Sequence, residues 1–156
     1  MRLLAFLLLS ILPVCAEPKN RVLPESPPWQ RITRDSGMVF SGVVTQVQRS
    51  QGVTGATAIT FRVESAIRGV RRGQVVTFRE WSGLWNNGER YVAGERVLLF
   101  LYPKSKLGLT SPVGGKLGRY SVDAAGRVLI GNPQMPNPRP VPLKTVKAQI
   151  VKSVKE

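Results

Sequence analysis

The sequence has no histidine, a single cysteine (Cys15), and only 9 acidic residues against 23 basic ones. Without histidine there is no Ser-His-Asp or Cys-His arrangement, no HExxH metalloprotease motif and no imidazole-held zinc. Cys15 lies in an apolar N-terminal stretch. The remainder of the chain therefore has no disulfide, no cysteine-held zinc and no thiol nucleophile. Acidic residues are too scattered to supply the closely spaced ligands of a calcium loop. No internal repeat is visible. We expect no catalytic residue, no metal ligand and no cofactor.

The chain opens with MRLLAFLLLSILPVCA. Arg2 and the apolar run from Leu3 to Leu12 have the form of a signal peptide, being shorter than the roughly 20 residues a bilayer span needs. Val14 and Ala16 fit the small-residue pattern for a cut between Ala16 and Glu17. An alternative treats "LPVC" as a lipobox, with the chain anchored through Cys15. The predicted segments are a signal peptide over 1–16, an extended proline-rich lead-in over 17–36, a β-barrel over 37–131, a proline-rich connector over 132–142 and an amphipathic helix over 143–155. The lead-in contains Pro18, Pro24, Pro27 and Pro28, with Trp29 placed to pack back on the domain. The mature chain of about 140 residues suits one domain.

Within 37–131 the hydrophobic period is two. "MVFSGVVTQVQ" reads as a strand with Gly42 at a bulge or bend. In "TAITFRVES", Ile59, Phe61 and Val63 face one way and Thr60, Arg62 and Glu64 the other. "QVVTFREW" forms its antiparallel partner. "ERVLLFLY" is apolar at successive positions, which predicts a strand covered on both faces. "KSKLGLTSPVGG" reads as loop, and "LGRYSVD" with "GRVLI" as a last hairpin. The expected fold is all-β: a small OB-like antiparallel barrel of five to six strands with a C-terminal α-helix. In that helix Leu143, Val146, Ile150 and Val154 form the apolar stripe.

Three stretches invite a functional reading. "EWSGLWNNGERY" collects Trp81, Trp85, Asn86, Asn87 and Tyr91, either as an exposed surface for a partner or as a plug for the barrel end. Within it, Glu80 with Glu89 or Glu95 offers a glycosidase-like pair over the tryptophans, against the plainer reading of a strand end and solvated turns. "IRGVRRG" gathers Arg68, Arg71 and Arg72, whose guanidinium forks suit phosphate, sulfate or carboxylate, or are merely solvated at a turn. "VGGKLGRY" lacks the Ser or Thr that follows the lysine of a P-loop, since Leu117 follows Lys116. Gly114, Gly115 and Gly118 are better read as permitting a tight turn and a close strand crossing.

Taken in order, "VFSGVVTQV", "TFRVESAIRG", "VVTFRE", "GERVLLFL" and "GGKLGRYSV" resemble a bacterial exported domain of unassigned function. That domain is related in fold to the tissue inhibitors of metalloproteinases and to netrin-like modules. The resemblance spans about residues 37–130 and implies an OB-like five-stranded barrel with an added helix. It does not carry over metalloproteinase inhibition. The inhibitors chelate zinc through an N-terminal cysteine, whereas the expected N-terminus here is Glu17 and the family's disulfides are absent.

Two functions remain open. One is an exported, periplasmic or secreted, non-enzymatic module that binds an envelope protein or glycan through barrel-end loops. The other is polyanion binding, to acidic glycan, lipid headgroups or extracellular nucleic acid, suggested by a formal net charge of +14. Intracellular nucleic acid is not expected as a partner, nor is a membrane span in the mature chain.

Overall fold

The computed structural model describes residues 29–49, 55–85, 90–131 and 138–153, with only the backbone of Gln30 and Trp85. The expected signal peptide, its cleavage site at Ala16 and Glu17, and Cys15 lie outside the described residues. The chain is mainly β. After α1 (Trp29–Arg34) come β1 (Met38–Gln48), β2 (Ala56–Arg68), β3 (Val75–Trp81), β4 (Arg96–Leu101) and β5 (Arg119–Ser121). These strands form one sheet in the order β3-β2-β1-β4-β5, with every neighbouring pair antiparallel. A two-stranded sheet of β6 (Arg127–Ile130) and β7 (Arg139–Pro142) and a helix, α2 (Leu143–Ser153), complete it. Among the described residues no helix is long and apolar enough to cross a membrane.

The alternation read from the sequence sets which side chains turn inward. Phe40 and Val44 of β1, Ile59, Phe61 and Val63 of β2, and Val76 and Phe78 of β3 share one core with Val97, Leu99 and Leu101 of β4. Phe61 is its hub, stacked on Phe78 with centroids 5.4 Å apart and meeting Phe40 edge-on at 5.6 Å. The intervening residues of β4, Leu98 and Phe100, belong to a second core on the other side of the sheet. Leaving either exposed would cost about 1.5–3 kcal/mol. Helices α1 and α2 and the β6–β7 pair cover that side, through Trp29, Ile32, Val128, Val146 and Ile150.

Two local devices let the sheet curl. At Gly42 the β1–β2 register shifts, and a Cβ there would sit 2.5 Å from the Arg62 carbonyl oxygen. The bulge bends β1 where only glycine fits. The strip 109–113, expected as loop, then lies between β3 and the end of β4. Thr110 N donates to Arg79 O at 2.9 Å, and Tyr102 N to Ser111 O at 3.1 Å. Isolated bridges, Arg79 with Leu109 and Leu101 with Pro112, draw the two sides of the sheet together.

Two sequence expectations need correction, and a third gains detail. The end of the lead-in is not extended: Trp29–Arg34 is a helix, because Trp29 and Ile32, one turn apart, both enter the second core. Within the expected proline-rich connector, 139–142 is a strand paired with β6, which the sequence reading did not assign. Leu143 N donates to Gly126 O. Alternation then puts the Val141 N–H on the same inner side, while Pro140 and Pro142, which have none, fall on the outer edge where proline is tolerated. Finally, the last hairpin turns tightly over Asp123–Gly126 but continues only as a Val122–Val128 bridge. Its two arms belong to different sheets.

Candidate functional site

Antiparallel order sends successive connections to alternate ends of the sheet. The β2–β3 turn with Arg68, Arg71 and Arg72 lies at the end where β4 exits. The β3–β4 connection with Trp81 and Tyr91 leaves from the opposite strand ends. The two sequence candidates are therefore separate places.

At the second place, Tyr91 is not a surface residue. It is buried in the first core, edge-on to Phe61 at 5.7 Å and to Phe78 at 6.0 Å. The guanidinium of Arg119 lies 4.8 Å from its ring centre. Burial, reinforced by the Glu80 charge, pushes the Tyr91 hydroxyl well above the usual phenol range. Tyr91 is thus core packing and is not presented to a partner. Trp81 stays 51% exposed, its ring lying against Gly83. The Trp85 side chain, Asn86, Asn87 and Glu89 lie outside the described residues.

Glu80 points inward and is fully buried, a placement that period two with Val76 and Phe78 already implies. Its carboxylate faces Arg90 Nε at 3.4 Å and accepts from the Tyr91 hydroxyl at 3.4 Å. Glu95 accepts from Arg119 and from Val92 N. Both carboxylates are thus engaged by arginine, the arrangement of a structural network. Nothing in it singles out a proton donor and a nucleophile.

At the first place, Arg68 is not available as a free fork: its guanidinium donates to Thr33 O at 2.7 Å and pins α1 to β2. Arg71 and Arg72 are exposed and border a shallow hollow of about 730 Å³ that also touches Gly69, Val70 and Gln74. The glycine-lysine loop forms a single 3-10 turn, Gly115–Gly118, and passes into β5, so no long helix N-terminus follows it. Gly118 permits the close crossing expected there. A Cβ would lie 2.5 Å from Val113 O and 2.9 Å from Phe100 O.

The charge pattern across these places was missed by reading stretches one at a time. Each of the five described carboxylates is paired with an arginine: Asp35 with Arg34, Glu64 with Arg96, Glu80 with Arg90, Glu95 with Arg119 and Asp123 with Arg127. Asp123 is held below the usual carboxylate range, chiefly by the Arg127 backbone N–H. Among the described residues no carboxylate pairs with Arg71, Arg72, Lys104, Lys106 or Lys116. Nor do three or more acidic or cysteine side chains gather where they could hold a metal ion.

Compared with known proteins, the chain matches no family model, no curated protein and no solved structure.

Proposed function

We propose that the protein is an exported, non-enzymatic binding module of a bacterial cell envelope whose partner is polyanionic. The fold relation to metalloproteinase inhibitors and netrin-like modules belongs to the same proposal. The observation that carries the reading is the pairing above: the described carboxylates are each paired with an arginine, while Arg71, Arg72, Lys104 and Lys106 face solvent with no carboxylate partner among the described residues. Such a surface attracts polyanions over distances of about a Debye length, 8–10 Å at moderate salt. The test is retention on immobilised heparin as salt is raised. Changing Arg71, Arg72, Lys104 and Lys106 together to Ala should move elution to clearly lower salt with the fold unchanged. Coincident elution of parent and variant would refute the reading.

The exposure of Trp81 favours a second reading, a protein or glycan partner held at the β3–β4 connection. Loss of captured envelope partners in Trp81→Ala, with heparin retention intact, would favour it over the first.

A further inference from the structure

The polyanion surface has a feature that charge alone does not require. Three chain segments meet where β4 leaves the sheet. Gly37, just ahead of β1, is packed against Pro103, and a Cβ on it would sit 2.8 Å from the Pro103 Cα. On its other side Gly69 approaches the Gly37 carbonyl so closely that no side chain fits. The basic turn 69–74 and the segment that leaves β4 at Pro103 are therefore neighbours across the α1–β1 link. Neither carries a carboxylate: no acidic residue occurs between Glu64 and Glu80, nor between Glu95 and Asp123.

The segment beyond Pro103 is a rigid turn with an apolar tip. Ser105 N donates to Leu109 O at 2.8 Å, Gly108 N to Ser105 O at 2.9 Å, and Leu109 N to the Ser105 hydroxyl at 3.1 Å. Gly108 takes a φ of 73°, which closes the turn. Leu107 is thrust outward at 77% exposure, the most exposed large hydrophobic among the described residues. Lys104 and Lys106 precede it in sequence, three residues and one residue before it. Val75, the first residue of β3 at the same end, is 65% exposed.

We propose that this end docks on an anionic bilayer surface, with Leu107 entering the layer between headgroups and acyl chains while Lys104, Lys106, Arg71 and Arg72 contact lipid phosphates. The inference rests on the polyanion reading and narrows it. A soluble acidic polymer would be attracted by the cations but would gain nothing from a leucine held at the tip of a locked turn. Interfacial binding uses both, apolar insertion together with attraction to anionic lipid. Lysines beside the leucine suit this geometry, since their long stems can lie along the surface with the ammonium groups at phosphate level.

The experiment is co-sedimentation of the full-length protein with vesicles of phosphatidylglycerol and phosphatidylcholine, set beside pure phosphatidylcholine vesicles. The apolar leader is common to every variant, so differences between variants report the folded domain. Leu107→Ser should lower partitioning onto the anionic vesicles by about tenfold or more, the scale of burying one leucine, and leave heparin retention unchanged. Lys104→Ala with Lys106→Ala should weaken both, by about fivefold per charge on vesicles. Equal binding of Leu107→Ser and parent to the anionic vesicles would overturn the inference, as would an equal loss on both lipid compositions when Lys104 and Lys106 are changed to Ala. Salt-sensitive heparin retention without vesicle binding would sink the bilayer docking alone. Failure to bind either would sink the polyanion reading beneath it.

Discussion

Replacing Trp29 by Ala tests whether the short N-terminal helix is part of the folded domain or a loose approach to it. Trp29 is buried between α2 and the sheet, stacked on Phe100 at 5.6 Å and tilted against Tyr120 at 5.2 Å. A tryptophan this buried removes about 150–250 Å² from water. At roughly 25 cal/mol per Å² that is about 4–6 kcal/mol, an upper bound because unfolded chains already bury some apolar surface. Its indole N–H donates to Gln149 at 3.3 Å, a long bond to an exposed partner that adds little. The six residues of α1 can settle partly into the gap, so the expected cost is near the low end of measured Trp→Ala changes, about 3 kcal/mol. With a urea slope of about 2 kcal/mol/M, the unfolding midpoint should fall by about 1.5 M. Far-ultraviolet circular dichroism is the right probe, since the substitution itself removes a fluorophore. A shift below about 0.5 M, or about 1 kcal/mol on the same slope, would mean that α1 is not held on the second core and that the extended lead-in was the better description.

Three further outcomes follow from local geometry. Gly118→Ala should destabilise by about 2–3 kcal/mol in urea titration, because its Cβ would strike backbone that cannot step aside. Gly126→Ala, with φ of 72° but open space around it, should cost only about 1 kcal/mol; equal costs would contradict the close crossing. Arg90→Ala, which strips the ion pair from a buried carboxylate, should destabilise by about 3 kcal/mol and more than Glu80→Gln, which keeps an acceptor for Tyr91; the reverse order would show that Arg90 is not the counter-charge that matters. In alkaline titration, burial pushes the Tyr120 hydroxyl up to about 12 and Tyr91 higher. The fold prefers both phenols neutral, so their contribution is intact below about pH 10, the unfolded value, and is lost as pH rises toward 12. Ultraviolet difference spectra should show both rings ionising late or only on unfolding, and early ionisation of all three tyrosines would refute the burial.

What could be read in advance was whatever periodicity encodes. The unbroken run Val97–Leu101 announces a strand with two covered faces, and both cores are built on it. Period two through Val76, Phe78 and Glu80 announces an inward carboxylate, although the residue type argues the other way. Tyr91 was ambiguous because it follows a turn, where no period carries over from β3. Helix α1 was hidden by its length, six residues behind a proline cluster, since so short a helix exists only through tertiary packing. Strand β7 was hidden by its own prolines, which signal extended chain and say nothing about which edge the missing N–H groups face. The strip 109–113 was hidden because its pairing is isolated bridges to strands far away in sequence.

The docking face follows from strand parity, which no window of sequence contains. With β1 to β5 all antiparallel to their neighbours, the β2–β3 and β4–β5 connections must emerge at one end, and the β3–β4 connection at the other. Arg71 and Lys104, more than thirty residues apart, are therefore brought to one end by the number of strands between them. The same parity sends Glu95, ahead of β4, and Asp123, beyond β5, to the opposite strand ends, where each is already paired with an arginine. Among the described residues, the end that carries Leu107 has Arg71, Arg72, Lys104 and Lys106 without a carboxylate partner, its exposed Asp35 being paired with Arg34. Near a negative surface those cations would turn the leucine tip toward the surface within a Debye length, about 8 Å at physiological salt, before any apolar contact forms. High salt should then slow association more than it speeds release, because only the approach depends on the long-range field.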